Sequence, residues 1–487
     1  MVSKRLDVRI ERDSLGEVQI PAGALWGIQT ARLREMTFAT GIRAHSKLID
    51  AMAIVKKACA AANMESRQLD AAKGRAVMQA CDELLGGQWH DHVIVEFLQS
   101  GAGTAFNINF NELLANRASE ILGGQLGSYE EVHPYRHVNM GQSVNDVFPT
   151  AMRISILLSA REFEPALLDM ERLLRRKALE FERVLKVGRT HLQDSVPITL
   201  GQEFNAYGSS VERSLRRIKE ASSSLTEVNT GATFVGTGMN ADSNFVASVL
   251  EKISSYSGIR VRQSEDYFRV SQSMADFVEF SSSLKELAIE LTKIANDLRL
   301  LNSGPSAGIG EIKVPSLITE PSPLMPGTLP DSSHPTLAES LNMVCYQVMG
   351  NDTVVGLAAQ AGQLESNVMT PLIIQNILMS LDLLRGVIPP FNQKFLAGIT
   401  ANNVRCRQLL ENGGLWQAII SSQLGAEQAA ALMKEAADTG VDVKKLVVER
   451  NLISQDVLDR FFSPKYLTSP GASFGTASGA NRTDKAK

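Results

Sequence analysis

The chain has 487 residues, of which 44% are hydrophobic, 21% charged and 6% aromatic, a globular composition without collagen-like or low-complexity bias. Lys and Arg number 49 against 53 Asp and Glu, leaving a net charge of −4. No basic excess is present for gripping a nucleic-acid backbone or an anionic membrane, so neither is expected as a partner. Four scattered cysteines (Cys59, Cys81, Cys345, Cys406) form no CxxC pair, which argues against a disulfide framework or a zinc finger.

The segment 1–17 has no apolar stretch of signal-peptide length, and no later run is read as a membrane span, so a cytoplasmic globular protein is expected. Gly101-Ala102-Gly103 lacks the third glycine and the preceding strand of a dinucleotide loop. His90 and His92 point apart on a helix, and Pro134 between His133 and His137 predicts a loop, so neither pair is read as a metal site. Apolar residues recur three or four apart from Ala151 to Lys186 and again from Val270 to Leu301, predicting two long helices. A third stretch, Thr336 to Val387, is apolar and rich in small residues, with Pro371 as the expected kink. Helices so apolar need the centre of a bundle or an oligomer.

Between them, Gly304 to Pro335 is the longest irregular stretch and holds seven prolines, which marks it as functional. Shorter helices follow Asn392, and the polar tail from Ser469 reads as disordered. No strand alternation persists, so the fold class is mainly α. Thr104, Ser143 with Asn145, Thr190 with His191, and Ser322 lie in breaker-rich segments. Such hydroxyls and amides can line an anion pocket, or each can simply cap a helix, and spacing does not choose between the two.

The segments RIERDSLGEVQIPAGALWGIQT, SGAGTAFNINFNELLANRA, VNMGQSVNDVFPTAM, GRTHLQDSVPITLGQEF, GATFVGTGMN, NDLRLLNSGPSAGIGEI and QVMGNDTVVGLAAQAGQLESNVMTP resemble, in order, those of the aspartase/fumarase superfamily. Gln193 and the SGAGT segment lean to the aspartase branch, ALWGIQT and VNMGQS to fumarase. The resemblance implies a mainly α subunit of three domains (1–142, 143–396 with a signature loop at 304–335, and 397–468, before a tail at 469–487). It also implies a homotetramer whose active sites draw on three subunits. The implied reaction is a β-elimination next to a carboxylate, without organic cofactor, that expels ammonia or water from a small carboxylic acid.

In relatives a serine in the loop G-S-S-x-M-P-x-K-x-N-P is the base. Aligning Met325-Pro326 with its Met-Pro puts Ser322 there. Thr104 and Ser143 match donors around the carboxylate that takes up charge, Asn145, Thr190 and His191 match groups around the leaving amine or water, and Glu339 matches the glutamate that pairs with that histidine.

The departures fall on carboxylate contacts. The loop's Lys-x-Asn is missing, with Thr328 and Pro330 at those offsets, or His334 if an insertion falls earlier; the second serine is Pro323, a hydroxyl after Ser143 is Val144, and Asn-Asp after His-Pro is Tyr135-Arg136. An unmet carboxylate charge costs several kcal/mol in a dry pocket, so an altered specificity is expected, with Arg136 or Lys313 as candidates for replacement charge. The favoured activity is carbon–nitrogen elimination from a succinyl-type or related acid. The alternatives are fumarate hydration and a homologue without catalysis.

Overall fold

The computed structural model describes residues 7–36, 39–98, 101–315, 335–412, 415–461 and 463–468. Ser322, Pro323, Met325, Thr328, Pro330, His334 and the polar tail lie outside them. The chain is mainly α, and long helices dominate: Ser46–Glu65, Thr104–Ile121, Val144–Glu180, Leu200–Ser224, Ala275–Leu301, Thr336–Gln360 and Thr370–Lys394. Two compact units result. One comprises 1–166, 214–289 and 343–386, the other 167–213, 290–342 and 387–487.

In the first unit the helix Ser46–Glu65 packs on Ala71–Leu85 and Ser243–Ser257. It buries nearly every residue between Leu48 and Asn63, because alanines on several faces let neighbours approach closely. Phe106 lies 5.4 Å from Phe110 and 5.8 Å from Phe148 between ring centres, joining the helices that follow Gly103 and Ser143. Arg153 is wholly buried; its guanidinium meets Asp276 at 2.7 Å and stacks on Phe277, so the charge is paired where water cannot reach it. In the second unit Trp416, Ile419, Ile420, Val447 and Phe461 form a core with Val187 and Leu410.

Several boundaries differ from the periodicity. The first long helix runs Val144–Glu180, and Leu185–Thr190 pairs antiparallel with Gln193–Thr199 instead of continuing it. The second begins with a short helix, Tyr267–Gln272, that stops where Ser273 turns extended. The third stretch is two helices, Thr336–Gln360 and Thr370–Lys394. Pro371 is therefore not a kink: it sits at the second residue of the later helix, where a missing N–H costs nothing. A hairpin, Val8–Asp13 with Gly16–Pro21, also forms near the N-terminus. Its alternation was too short to register as a strand signal.

One helical stretch, Thr370–Gly398, is long and apolar enough to cross a membrane by length and composition, which corrects the reading that no run approaches a span. Its most apolar window is 61% buried within the chain, as in the core helix of a soluble protein. All four cysteines are buried and outside any disulfide.

Candidate active site

Gly101, Ala102 and Gly103 all take left-handed backbone (φ 96°, 52° and 84°) before the helix begins at Thr104. A side chain at Gly103 would meet the Phe148 ring at 2.6 Å, so glycine is required by both conformation and space. Thr104 donates from its amide to Gly101 O at 2.8 Å, and its hydroxyl turns back to the same oxygen.

Ser143 opens the next helix with a reciprocal cap. Its Oγ accepts from Asn145 N at 3.2 Å, and Asp146 Oδ1 accepts from Ser143 N at 2.9 Å. Ser143 Oγ therefore caps this helix as an acceptor, and its hydroxyl proton remains available to donate. Asp146 Oδ2 also accepts from Gly231 N and Thr233 N, both at 3.1 Å. Asn145 Nδ2 donates to Phe234 O at 2.8 Å. The turn bearing Ser143 and Asn145 is therefore bolted to the loop 229–236.

Beneath that turn lies a buried polar cluster that sequence reasoning missed. Lys56, fully buried, donates to Asn139 Oδ1 at 2.9 Å and Gln142 Oε1 at 3.0 Å. Asn107 and Asn111, on the helix that Thr104 opens, also donate to Asn139 Oδ1, while their own Oδ1 atoms have no partner among the described residues. Burial lowers the Lys56 ammonium to about 8. Burial likewise pushes Asp146 up to about 7, against its three N–H donors and Lys56. The signals were present: a lysine inside an apolar helix, and an aspartate three residues after a serine at a helix start.

In the second unit Thr190 and His191 form the exposed tip of the hairpin Leu185–Thr199. His191 and Leu192 both have positive φ (55° and 59°), the geometry of a two-residue turn that usually takes Asn-Gly. Holding two ordinary residues there costs on the order of 1 kcal/mol or more each, and such outliers cluster at functional sites. The hairpin root resists that strain. Arg189 donates both Nη atoms to Glu311 at 3.0 Å, and Lys186 meets the same buried carboxylate at 3.1 Å. His191 has no hydrogen bond among the described residues. Glu339 accepts from Arg299 at 3.3 Å, and no described bond joins it to His191 within the chain.

Thus Thr104, Ser143 and Asn145 belong to one compact unit, Thr190, His191 and Glu339 to the other. Tyr135 and Arg136 lie in a π-helical turn, Pro134–Val138, where a loop was expected. His133 and His137 cap that turn, and His92 Nδ1 accepts from Leu25 N at 3.0 Å. Among the described residues no cluster of three metal-ligating side chains occurs.

The sequence pattern of a lyase family (Lyase) matches residues 16–350, more than half of the chain. The chain belongs to the aspartase/fumarase superfamily. It is 43% identical to an aspartate ammonia-lyase of Bacillus subtilis, over 97% of this chain and 98% of that one. It is 40% identical to a class II fumarate hydratase of Thermosynechococcus vestitus, over 93% and 97%. The fold matches a fumarate lyase:delta crystallin of Brucella melitensis with a TM-score of 0.89 at 39% identity, covering 95% of this chain and all of that one. The mainly α architecture is that superfamily's fold.

Proposed function

We propose that the protein is a carbon–nitrogen lyase that eliminates an amine, without a cofactor, from a succinyl-type carboxylic acid. The support is likeness over 97% of the chain to an aspartate ammonia-lyase, together with retention of Thr104, Ser143, Asn145, Thr190 and His191 at rigidly held backbone positions.

The chemical problem is the weak acidity of the carbon beside the carboxylate. Its proton leaves only if the dianionic enediolate is met by fixed donors. In the proposed mechanism Ser322, within 316–334, acts as the alkoxide, and its Oγ takes that proton to become the neutral hydroxyl. The carbon's electron pair moves into the carboxylate, where the hydroxyls of Ser143 and of Thr104, the latter turned away from Gly101 O, receive the charge. Collapse of the enediolate then forms the alkene and expels the amine toward Asn145, Thr190 and His191, with Glu339 orienting the imidazole.

We further propose a homotetramer of three-domain subunits, with each site assembled from three chains. The exposed His191 tip, without an in-chain hydrogen bond among the described residues, supports this. So does the helix Thr336–Gln360, where Met343 and Leu357 are 64% and 58% exposed and flank Gly350 at seven-residue intervals. Among the described residues, a Cβ added at Gly350 would meet nothing within 4 Å outside its own helix backbone. That stripe has the spacing of a seam awaiting another helix.

Following fumarate absorbance with ammonia, a panel of amines, and water tests the proposal. Addition of an amine but not water is expected; hydration alone would favour the fumarase reading. If no nucleophile adds and substituted succinates give no alkene, the enzyme reading fails. Ser322→Ala should lower turnover by roughly 10² or more, as for a lost general base. Unchanged turnover removes Ser322 from that role.

A further inference from the structure

The first unit contains a cleft of about 950 Å³ that none of the roles above explains. Phe268, Met274, Val278, Ala359 and Leu364 give it an apolar lining near the start of the helix Ala275–Leu301 and the end of Thr336–Gln360. Among the described residues its charged groups are Asp266, Glu279 and Arg269. Asp266 is occupied as a cap, accepting from Phe268 N at 2.9 Å and Arg269 N at 3.0 Å, and Arg269 pairs with Glu227. With the cation paired and the acids in excess, the cleft suits a neutral or cationic group and disfavours a carboxylate.

One loop joins this cleft to the proposed site. Phe268 lies against Gly236, where a side chain would meet its ring at 2.9 Å and its amide nitrogen at 3.0 Å. Two residues earlier in the same loop Phe234 O accepts from Asn145 Nδ2 at 2.8 Å, and the chain between them spans at most about 7 Å. Asp146 fixes the loop through Gly231 N and Thr233 N. The cleft therefore opens within reach of a short chain carried by an amine beside Asn145.

Another wall is Leu364, 83% exposed on left-handed backbone (φ 52°) that a leucine rarely adopts. The turn around it is held firmly. Gln363 N donates to Ser366 O at 3.0 Å, and Asn367 Nδ2 donates to Ala358 O at 3.1 Å and Ala359 O at 3.0 Å. Strain of this kind clusters at ligand clamps and active sites, and here it keeps a large apolar side chain at the edge of a cleft. Phe268 is itself 49% exposed.

We infer that this cleft receives an apolar substituent on the nitrogen of the leaving amine, so that the amine expelled is an alkylamine and not ammonia. The inference rests on the lyase reading for the group that meets Asn145, but not for the existence of the apolar site. An alkyl chain laid against Phe268 and Leu364 favours the larger amine over a smaller one of equal basicity.

The test uses the full chain and its Leu364→Asn and Phe268→Ala variants, with methylamine and butylamine, which match in basicity, added to fumarate in the absorbance assay. In each addition the amine nitrogen bonds one alkene carbon and a proton is added to the other, giving an N-alkylaspartate. Calorimetry with N-methylaspartate and N-butylaspartate reads binding without turnover. Asparagine tolerates left-handed backbone, so Leu364→Asn should melt at the parent's temperature. The parent should favour butylamine in kcat/KM, and N-butylaspartate in Kd, by roughly ten-fold or more. Each variant should bring both ratios toward one, chiefly through KM. A parent that handles both amines equally, or ratios that stay the same or rise in the variants, overturns the inference and leaves the lyase reading intact. Dissociation of Leu364→Asn in sedimentation assigns that side chain to contact between copies and overturns the inference as well. If neither aspartate derivative binds the parent, the inference falls whatever turnover shows. Tighter N-butylaspartate binding, lost in the variants of a protein that adds no amine, supports the apolar site and sinks the lyase reading alone.

Discussion

Removal of Glu311 is the sharpest test of how the His191 tip is held. The carboxylate is fully buried and receives both Nη atoms of Arg189 at 3.0 Å and Lys186 Nζ at 3.1 Å. Without it Arg189 keeps, among the described residues, only Asp194 at 3.9 Å, and Lys186, itself 2% exposed, keeps Glu203 at 2.9 Å. Removing one partner of a buried ion pair costs roughly 3–5 kcal/mol, because the other charge stays in a poorly solvating place. Arg189 retains 15% exposure, so Glu311→Gln belongs near the lower end, about 3 kcal/mol, with Glu311→Ala higher for the added cavity. Since Thr190 and His191 follow Arg189 directly, a loosened tip should also lower kcat about ten-fold or more through misplaced groups. Urea unfolding at one fixed protomer concentration gives the stability change, since subunit assembly contributes to it. The combined replacement Arg189→Met, Glu311→Leu should recover much of the loss, because no uncompensated charge remains on that side. A Glu311→Gln protein within 1 kcal/mol of the parent, with unchanged kcat, would refute the argument.

Asp146 gives a pH signature. Its carboxyl is raised to about 7 from 3.8, so the fold holds a proton that the unfolded chain has released. The associated stability is complete below pH 3.8 and is lost as pH climbs through 7, at about 1.4 kcal/mol per unit. Asp146→Asn carries no such proton and should gain on the parent by up to about 4 kcal/mol between pH 4 and 7.5; a constant difference in urea unfolding at the two pH values rejects this. Lys56, lowered to about 8 from 10.5, acts in the opposite sense: the parent should gain about 3 kcal/mol as pH rises from 8 to 10.5, and Lys56→Met should lack that gain. Sedimentation at micromolar concentration should show a tetramer. A monomer that still catalyses would contradict sites shared among chains.

The sequence by itself determined the class of architecture and the family. Helical periodicity in 151–186 and 270–301 reflects the apolar stripe that any such helix must bury, and seven ordered motifs carried the resemblance along nearly the whole chain. It also singled out Ser143, Asn145, Thr190 and His191, since hydroxyl, amide and imidazole groups in breaker-rich turns are locally visible. Tertiary structure decided what holds them. The Asp146 carboxylate meets Gly231 and Thr233 across 85 and 87 residues, and Arg189 meets Glu311 across 122. No local period encodes such pairings. Whether Leu185–Thr190 extended a helix or formed a hairpin was likewise settled by the partner strand Gln193–Thr199 and by Val187 joining the core around Trp416. Lys56, inside an apolar helix, finds its acceptors in Asn139 and Gln142, more than eighty residues away. A buried charge is tolerable only beside its partners, and the partners are chosen by the fold.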